Sequence, residues 1–474
     1  MRILPIDPAE NVTVASLANF LETCRGIAQA VGRPQLVSIS LAVESLDPLA
    51  VLESIFDPSQ LHFYAERPTQ GFAVAGAEAV LEFSATGQDR FSRARDYIAQ
   101  VLTDTIAVGP LTEPFAGPHF FFAAAFAPTV ETGAAFPALR LFVPRWQVAR
   151  MGDSTVAVAN LLISTDAPVD LLAAKVWKAH EKFRAFDYRS AARKNRPSAP
   201  RLSEEIGGAG AYQQTVRQAL QEIAQGHYLK IVLARARKLT TTEDFHPLGV
   251  LNHLRQRFPS CYAFSIANGR GQSFIGASPE RLVRVAGGRM HTEALAGSAP
   301  RGDSASEDAG FARVLLNSEK DRREHQLVVD SIARRLADLH LQLEYTAQPR
   351  VLGLANVQHL HSPISAQLPT GVHILDLVAR LHPTPAVGGT PREPAVAAIA
   401  RLESFNRGLY AGPQGWVDYR GGGEFLVGLR SALIDGPTAT VYAGAGIVAG
   451  SKPEKEFAET ELKFKALLEV LTVP

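Results

Sequence analysis

The spacing of apolar residues changes period several times along the chain, and each change predicts an element. Leu36 to Val43 and Ser154 to Ile163 are apolar and β-branched and predict strands, while Arg90 to Ile106 and Asp170 to Phe186 repeat at helical spacing. Between Arg193 and Glu205 (RKNRPSAPRLSEE) charge, proline and serine replace that periodicity, the pattern of a linker or long surface loop. A helix period returns over Tyr212 to Ala224 and Gln225-Gly226 closes it, after which Tyr228 to Ala236 predicts a strand. Further strands are predicted at Cys261 to Ala267, Gln272 to Ala277, Arg281 to Val285 and Arg289 to Leu295, the last two joined by a Gly287-Gly288 hairpin turn. Gln414 to Tyr419, Glu424 to Ile434 and Thr438 to Tyr442, separated by glycines 421–423 and by Asp435-Gly436-Pro437, predict an antiparallel meander. Helical spacing also covers Glu319 to Leu336 and about Pro453 to Leu471. The chain carries no repeat of fixed period and no low-complexity tract.

Composition narrows what such elements can do. Of 474 residues 46% are hydrophobic and 20% charged, which excludes disorder over most of the chain and supplies a large core. Lys and Arg number 48 against 47 Asp and Glu, a net +1, so no overall field recruits nucleic acid or an anionic membrane and anion binding must be local. Cys24 and Cys261 form no disulfide framework and no zinc pattern, and read as buried small hydrophobes. The opening MRILPIDPAENVTV lacks the charged start and apolar run of a secretory signal. The most apolar segment, His119 to Val130, is about a dozen residues with a proline, short of the ~20 that span a bilayer. A soluble cytoplasmic protein is expected.

Several residues have the chemistry of a site. Lys230 stands in the strand-like run Tyr-Leu-Lys-Ile-Val-Leu-Ala, as either an edge-strand guard against aggregation or a partly desolvated amine suited to general base work. Glu280 follows a strand that ends in Ser278-Pro279, and is either a solvated turn glutamate or a carboxyl raised by a snug position into a proton donor. Asp321 and Glu324 share one helix face, with His325 beside them. Glu456 and Glu459 repeat that spacing in the last helix and Lys463 extends the stripe. Carboxylates from two helices meeting in one place would suit Mg²⁺, and solvated helix faces are the alternative. The stretches Ala296 to Arg301 and Tyr442 to Ile447 are read as small residues following strands, where backbone N–H groups can approach a carboxylate ligand. The second has only G-x-G after hairpins, which argues against a Rossmann site. Arg430, in Val-Gly-Leu-Arg-Ser-Ala, is read as a strand cation that binds a carboxylate or points to solvent.

The order and spacing of these residues resemble the chorismate-utilising enzymes, and within them the isochorismate synthases of menaquinone, phylloquinone and catechol siderophore pathways. The resemblance runs from about Tyr212 to the C-terminus and rests on F-I-G-A-S-P-E at 274–280, L-A-G-S-A-P-R at 295–301, S-E-K-D-R-R-E-H at 318–325, L-H-P-T-P-A-V-G-G at 381–389, F-L-V-G-L-R-S-A at 425–432 and the run that starts Y-A-G-A-G-I-V at 442. It implies that Lys230 is the base that activates water for attack at C2 of chorismate and Glu280 the acid that protonates the departing C4 hydroxyl. By the same resemblance Glu324 and Glu459 hold Mg²⁺, with Asp321 and Glu456 as outer or alternate partners. Arg430, Gly444 and Gly446 hold substrate carboxylates, Ser298 and Tyr442 lie close by, and His382, Ala386 and Lys463 line the site. Relatives that use ammonia carry an amide in place of the lysine, so Lys230 argues for water as nucleophile and against an amidotransferase subunit.

The fold implied is α/β (α+β), one large domain of two packed, mainly antiparallel sheets surrounded by helices. Residues 1–200 would form its less recognisable N-terminal part and 201–474 the chorismate-binding catalytic region, with 193–205 an internal loop. The expected partner is the small molecule chorismate, without nucleic acid or membrane, in a monomer or weak homo-oligomer. Salicylate synthases share the constellation and go on to eliminate pyruvate, which makes them the alternative. An anthranilate or aminodeoxychorismate synthase component and a non-catalytic chorismate binder are the more distant readings.

Overall fold

In the computed structural model, which describes residues 1–4, 13–184, 186, 202–353 and 357–472, the strand-forming runs join into one hydrogen-bonded ladder that branches into two arms. The branch lies at the long pair Phe72–Ala85 and Leu139–Met151. One arm leaves Phe72–Ala85 through Leu61–Arg67, Tyr262–Asn268, Gln272–Ser278, Ser431–Asp435 and Thr438–Val448 to Lys230–Thr240. The other leaves the Leu139 end through His119–Ala124, Pro413–Asp418, Gly423–Val427, Arg281–Ala286 and Arg289–Pro300 to Val357–Gln367. From the Met151 end the ladder continues through Ser154–Ile163 and Gln35–Val43 to Thr105–Val108, whose pairings with Gln35–Val43 and Arg2–Ile3 are parallel where the others are antiparallel.

The arms meet across an aromatic core. Phe63 from the first stacks on Phe121 from the second with ring centroids 4.7 Å apart, and both are fully buried. Such a pair contributes about 0.5–1.5 kcal/mol beyond its area burial. Gly76 makes room for it, since a Cβ there would lie 2.5 Å from the Phe121 ring. The fold is thus the expected mixture of helices around mainly antiparallel sheets. Strand pairs between Leu61–Arg67 and Tyr262–Asn268, and between His119–Ala124 and Pro413–Asp418, tie the chain before residue 184 to the chain after 202. Among the described residues no helix is long and apolar enough to cross a membrane.

The Gly287-Gly288 hairpin forms with both glycines at positive φ, and Ala286 pairs with Arg289. Helix Arg90–Thr103 is shorter than the expected Arg90 to Ile106, because Thr105–Val108 is drawn into the sheet beside Gln35–Val43. The meander needs a larger correction. Glu424 to Ile434 is two strands, Gly423–Val427 and Ser431–Asp435, which belong to different arms. The chain crosses between arms at Gly428 to Arg430, and Arg430 sits there with φ +46° rather than in a strand. Continuous apolar runs on both sides of the crossing, Phe425 to Val427 and Ala432 to Ile434, hid it from the pattern. Residues 193–201 of the expected linker and 5–12 of the N-terminal stretch lie outside the described residues, while Leu202–Glu205 is a strand paired with Arg237 to Thr240. Both cysteines are buried, as expected.

Candidate active site

A cavity of about 350 Å³ lies between the strands that carry Lys230, Gly446 and Ser298 and the helices Glu319–Leu336 and Pro453–Thr472. Lys230 opens its strand and is hydrogen-bonded on both sides, facing Thr390 in one direction and Val448 in the other. That excludes the edge-guard reading. Its Nζ donates to Glu324 Oε1 at 2.9 Å, and its side chain is only 12% exposed. Val232 pairs with Gly446 and Ala234 with Gly444. A Cβ at Gly446 would lie 3.1 Å from Lys230 Cε, so glycine there lets the lysine lie across the neighbouring strand. At Gly444 a Cβ would meet the Tyr410 hydroxyl at 2.9 Å.

Glu280 reaches the same cavity from where the chain passes between the arms, after strand Gln272–Ser278 of the first and before Arg281–Ala286 of the second. Its backbone carbonyl accepts from Val427 N at 3.1 Å, which fixes the turn, and its Oε1 accepts from the Thr384 hydroxyl at 3.2 Å. Burial pushes its carboxyl up to about 7, with the hydrogen bond from Thr384 and the charge of Lys230 opposing and Glu293 adding to the rise. A carboxyl so placed still carries its proton near neutral pH and can give it away.

Asp321, Glu324, Glu456 and Glu459 also border the cavity. Ser318 caps the first helix and its hydroxyl donates to Asp321, so that carboxylate is partly occupied. The helix comes close because Gly297, at a bulge with φ +73°, leaves 3.1 Å between its missing Cβ and Asp321 Cβ. Glu459 accepts from Lys463 Nζ at 2.7 Å, and the same ammonium donates to Gly444 O at 2.8 Å. Burial raises the Glu456 carboxyl above its ordinary value, opposed by a hydrogen bond from Ser451 and reinforced by the charge of Glu459. Among the described residues no three His, Cys, Asp or Glu side chains converge as a preformed metal cage.

Residues 19–472 match the family model described as chorismate binding enzyme. The chain belongs to that family. It is 38% identical over 462 residues to the salicylate biosynthesis isochorismate synthase of Pseudomonas aeruginosa, covering 96% of this chain and 94% of the relative. It is 32% identical over 455 residues to the isochorismate synthase MenF of Bacillus subtilis, covering 94% and 95%. Among solved structures, MenF, the menaquinone-specific isochorismate synthase from Escherichia coli, superposes with a TM-score of 0.77 at 27% identity over 95% of this chain and 99% of that one. Anthranilate synthase component I from Streptococcus pneumoniae shares the fold, with a TM-score of 0.70 at 21% identity over 84% and 92%.

In this chorismate-binding enzyme the expected residues gather in the one cavity, with a single exception. His382 is buried elsewhere, its Nε2 2.9 Å from Phe126 O, and burial holds it down to about 3. Ala386, four residues on, does line the cavity. The glycine stretches also need correcting, because both lie inside strands, Arg289–Pro300 and Thr438–Val448, rather than after them. Three residues that bear on the site escaped the sequence reading: His359 and Arg407 line the cavity, and Thr384 touches Glu280 from a smaller void beside it. His359 Nδ1 lies 2.9 Å from Ser298 Oγ and 3.2 Å from Gly297 O, and burial lowers it to about 4. Its signal was present: His359 and His361 alternate in V-Q-H-L-H-S, the period of a strand. Thr384, the donor to Glu280, and Arg407 had no local signal. Arg407 donates to Val232 O at 2.7 Å and Val387 O at 2.8 Å, while Glu403 Oε1 accepts from Ala234 N at 2.7 Å. This buried pair clamps the lysine strand to the loop that carries Thr384.

Proposed function

We propose that the protein is an isochorismate synthase, an isomerase that converts chorismate reversibly to isochorismate in the cytoplasm for menaquinone, phylloquinone or siderophore synthesis. The observation that carries this reading is one cavity bordered by both Lys230 and Glu280, in which Glu280 is pushed up to about 7 by burial. Exchange of one hydroxyl for another across an allylic ring needs a base for the incoming water and an acid for the outgoing oxygen. Lys230 takes a proton from the water that adds at C2, and Glu280 delivers its proton to the C4 oxygen, which leaves as water. With water as nucleophile the reaction needs no amidotransferase subunit.

The residues present fit a divalent cation. Glu324 and Glu459 each already face an ammonium, and Glu456 is pushed up by burial with the charge of Glu459 adding to the rise, which a cation relieves. These are hard oxygen donors of the kind Mg²⁺ takes in small number beside substrate oxygens and water. Glu324 and Glu459 would hold the ion, with Asp321 and Glu456 beside them, and when bound it would neutralise the C1 carboxylate of chorismate. Arg430 and the backbone at Gly444 and Gly446 receive the remaining carboxylate, and Ser298, Ala386, Tyr442 and Lys463 border the ring and its substituents. Incubation with chorismate and Mg²⁺, followed by chromatography, tests the reading. The expected result is a stable mixture of chorismate and isochorismate. Stoichiometric pyruvate would move the assignment to salicylate synthase, and unchanged chorismate would leave a binder.

A further inference from the structure

Glu280 borders a second, much smaller void of about 10 Å³. That is about the space one water needs. Its polar border is made by Glu280, Thr384, Thr292, Glu293 and Arg281, whose guanidinium is engaged by Tyr262 and Glu424, and apolar side chains such as Val328 and Leu381 close it. Thr292 has spent its hydroxyl proton on Leu282 O at 2.7 Å, and Thr384 donates to Glu280. Two carboxyl groups therefore face one water-sized space. Glu293 is anchored on its other side, with Oε2 2.8 Å from His361 Nε2, and the His361 side chain is 17% exposed.

We propose that Glu293, held by His361, is the proton-return partner of Glu280, passing a proton to it through a water in this void after each turnover. The inference rests on the reading of Glu280 as the proton donor. A forward turnover leaves Lys230 with one proton more and Glu280 with one fewer. The balance is restored when a protonated His361 hands its proton to Glu293, a proton moves from Glu293 through the water to Glu280, and His361 takes another from solvent while Lys230 releases one. No bond other than O–H and N–H is made or broken, and no oxidant is consumed. The electrostatics agree. Burial pushes Glu293 up, but the hydrogen bond from His361 and the charges of Arg281, His361 and Arg67 bring it below the ordinary glutamate range. The charges that act on Glu280 are Glu293 and Lys230, Arg281 borders the same void, Tyr410 senses the Glu280 charge, and His325 is the further titratable group that senses His361. The two carboxyls thus sit in environments that drive their proton affinities apart, the arrangement that assigns donor and acceptor roles.

Glu293→Gln keeps the shape and removes both the charge and the relay. The expected result is a kcat lowered by roughly tenfold or more, a chorismate KM within about twofold of wild type, and an alkaline limb of kcat moved about half a pH unit or more to lower pH. Glu293→Asp restores most of the activity and the limb. His361→Gln moves the limb in the same direction with a smaller loss. A folded Glu293→Gln enzyme whose limb stays in place overturns the proposal, and so does one whose limb moves while its plateau kcat stays within about twofold of wild type, because the first leaves Glu293 a structural role and the second only the charge that raises Glu280. Should that variant not fold, the limb of His361→Gln decides by the same rule. Glu280→Gln run alongside separates the two claims: if it retains activity, the donor reading itself fails, whereas an inactive Glu280→Gln with an unmoved limb in Glu293→Gln removes the relay alone.

Discussion

Around Lys230 the cavity is dense with charge, and around Glu280 it is nearly dry. The lysine touches Glu324, and the other carboxylates of its neighbourhood come with ammonium or hydroxyl partners, Glu459 with Lys463 and Asp321 with Ser318. Glu280 has one threonine hydroxyl on its carboxyl and, beside it, a void no larger than one water, closed by side chains such as Val328 and Leu381 and bordered by Glu293. On the proposed reading the difference lets one small cavity house a base and an acid: charged and hydroxyl partners hold charges in the first region, and burial keeps a proton on the carboxyl in the second.

Removing either proton-handling group breaks the comparison most severely. Lys230→Ala and Glu280→Gln are each expected to lower kcat by about 10²–10⁴-fold with chorismate still bound, measured by steady-state kinetics and by titration of the inactive variants. A Lys230→Ala enzyme with more than about half of wild-type activity would show that the base lies elsewhere. Next, Glu324→Ala removes an oxygen donor and the lysine's partner at once. Its kcat/KM should fall on the order of 10²-fold, with Mg²⁺ affinity weakened in calorimetry. Full activity in excess EDTA would remove the cation from the account. A smaller effect is expected of Gly446→Ala, whose new Cβ would sit 3.1 Å from Lys230 Cε. A shift of a few tenths of an ångström at the base should cost roughly tenfold in kcat with little change in melting temperature.

The smallest effect concerns stability. Glu280 is raised to about 7 in the folded protein, against ~4.3 when unfolded. Its contribution is therefore complete below the unfolded value and is lost as pH rises through about 7. Glu280→Gln cannot ionise, so its denaturation midpoint should gain on wild type between about pH 5 and pH 8. Parallel curves would put Glu280 in water.

Much of this was legible from the order of residues. Lys230 and the two carboxylate pairs stand in runs whose period names their element, Glu280 comes just after such a run, and helix Glu319–Leu336 formed with the expected bounds. What stayed hidden depends on contacts distant in the chain. The crossing at Gly428 to Arg430 follows from two sheets competing for one apolar run, and Thr384 becomes a partner of Glu280 only because a loop 104 residues away is clamped by Arg407. His382 failed for the opposite reason. Its motif neighbours face the cavity, while its own ring turns to Phe126 O, a rotation that spacing alone does not fix.

The central claim is that water, activated at Lys230, replaces a hydroxyl that leaves with the proton of Glu280. Turnover of chorismate in ¹⁸O-enriched water with Mg²⁺, followed by mass spectrometry of both ring acids, tests it directly. The account predicts isochorismate labelled at its C2 hydroxyl, chorismate gaining label at C4 as the reverse reaction proceeds, and label entering both about 10²–10⁴-fold more slowly with Lys230→Ala. Isochorismate formed without label would mean that the hydroxyl never exchanged with water, and would contradict it.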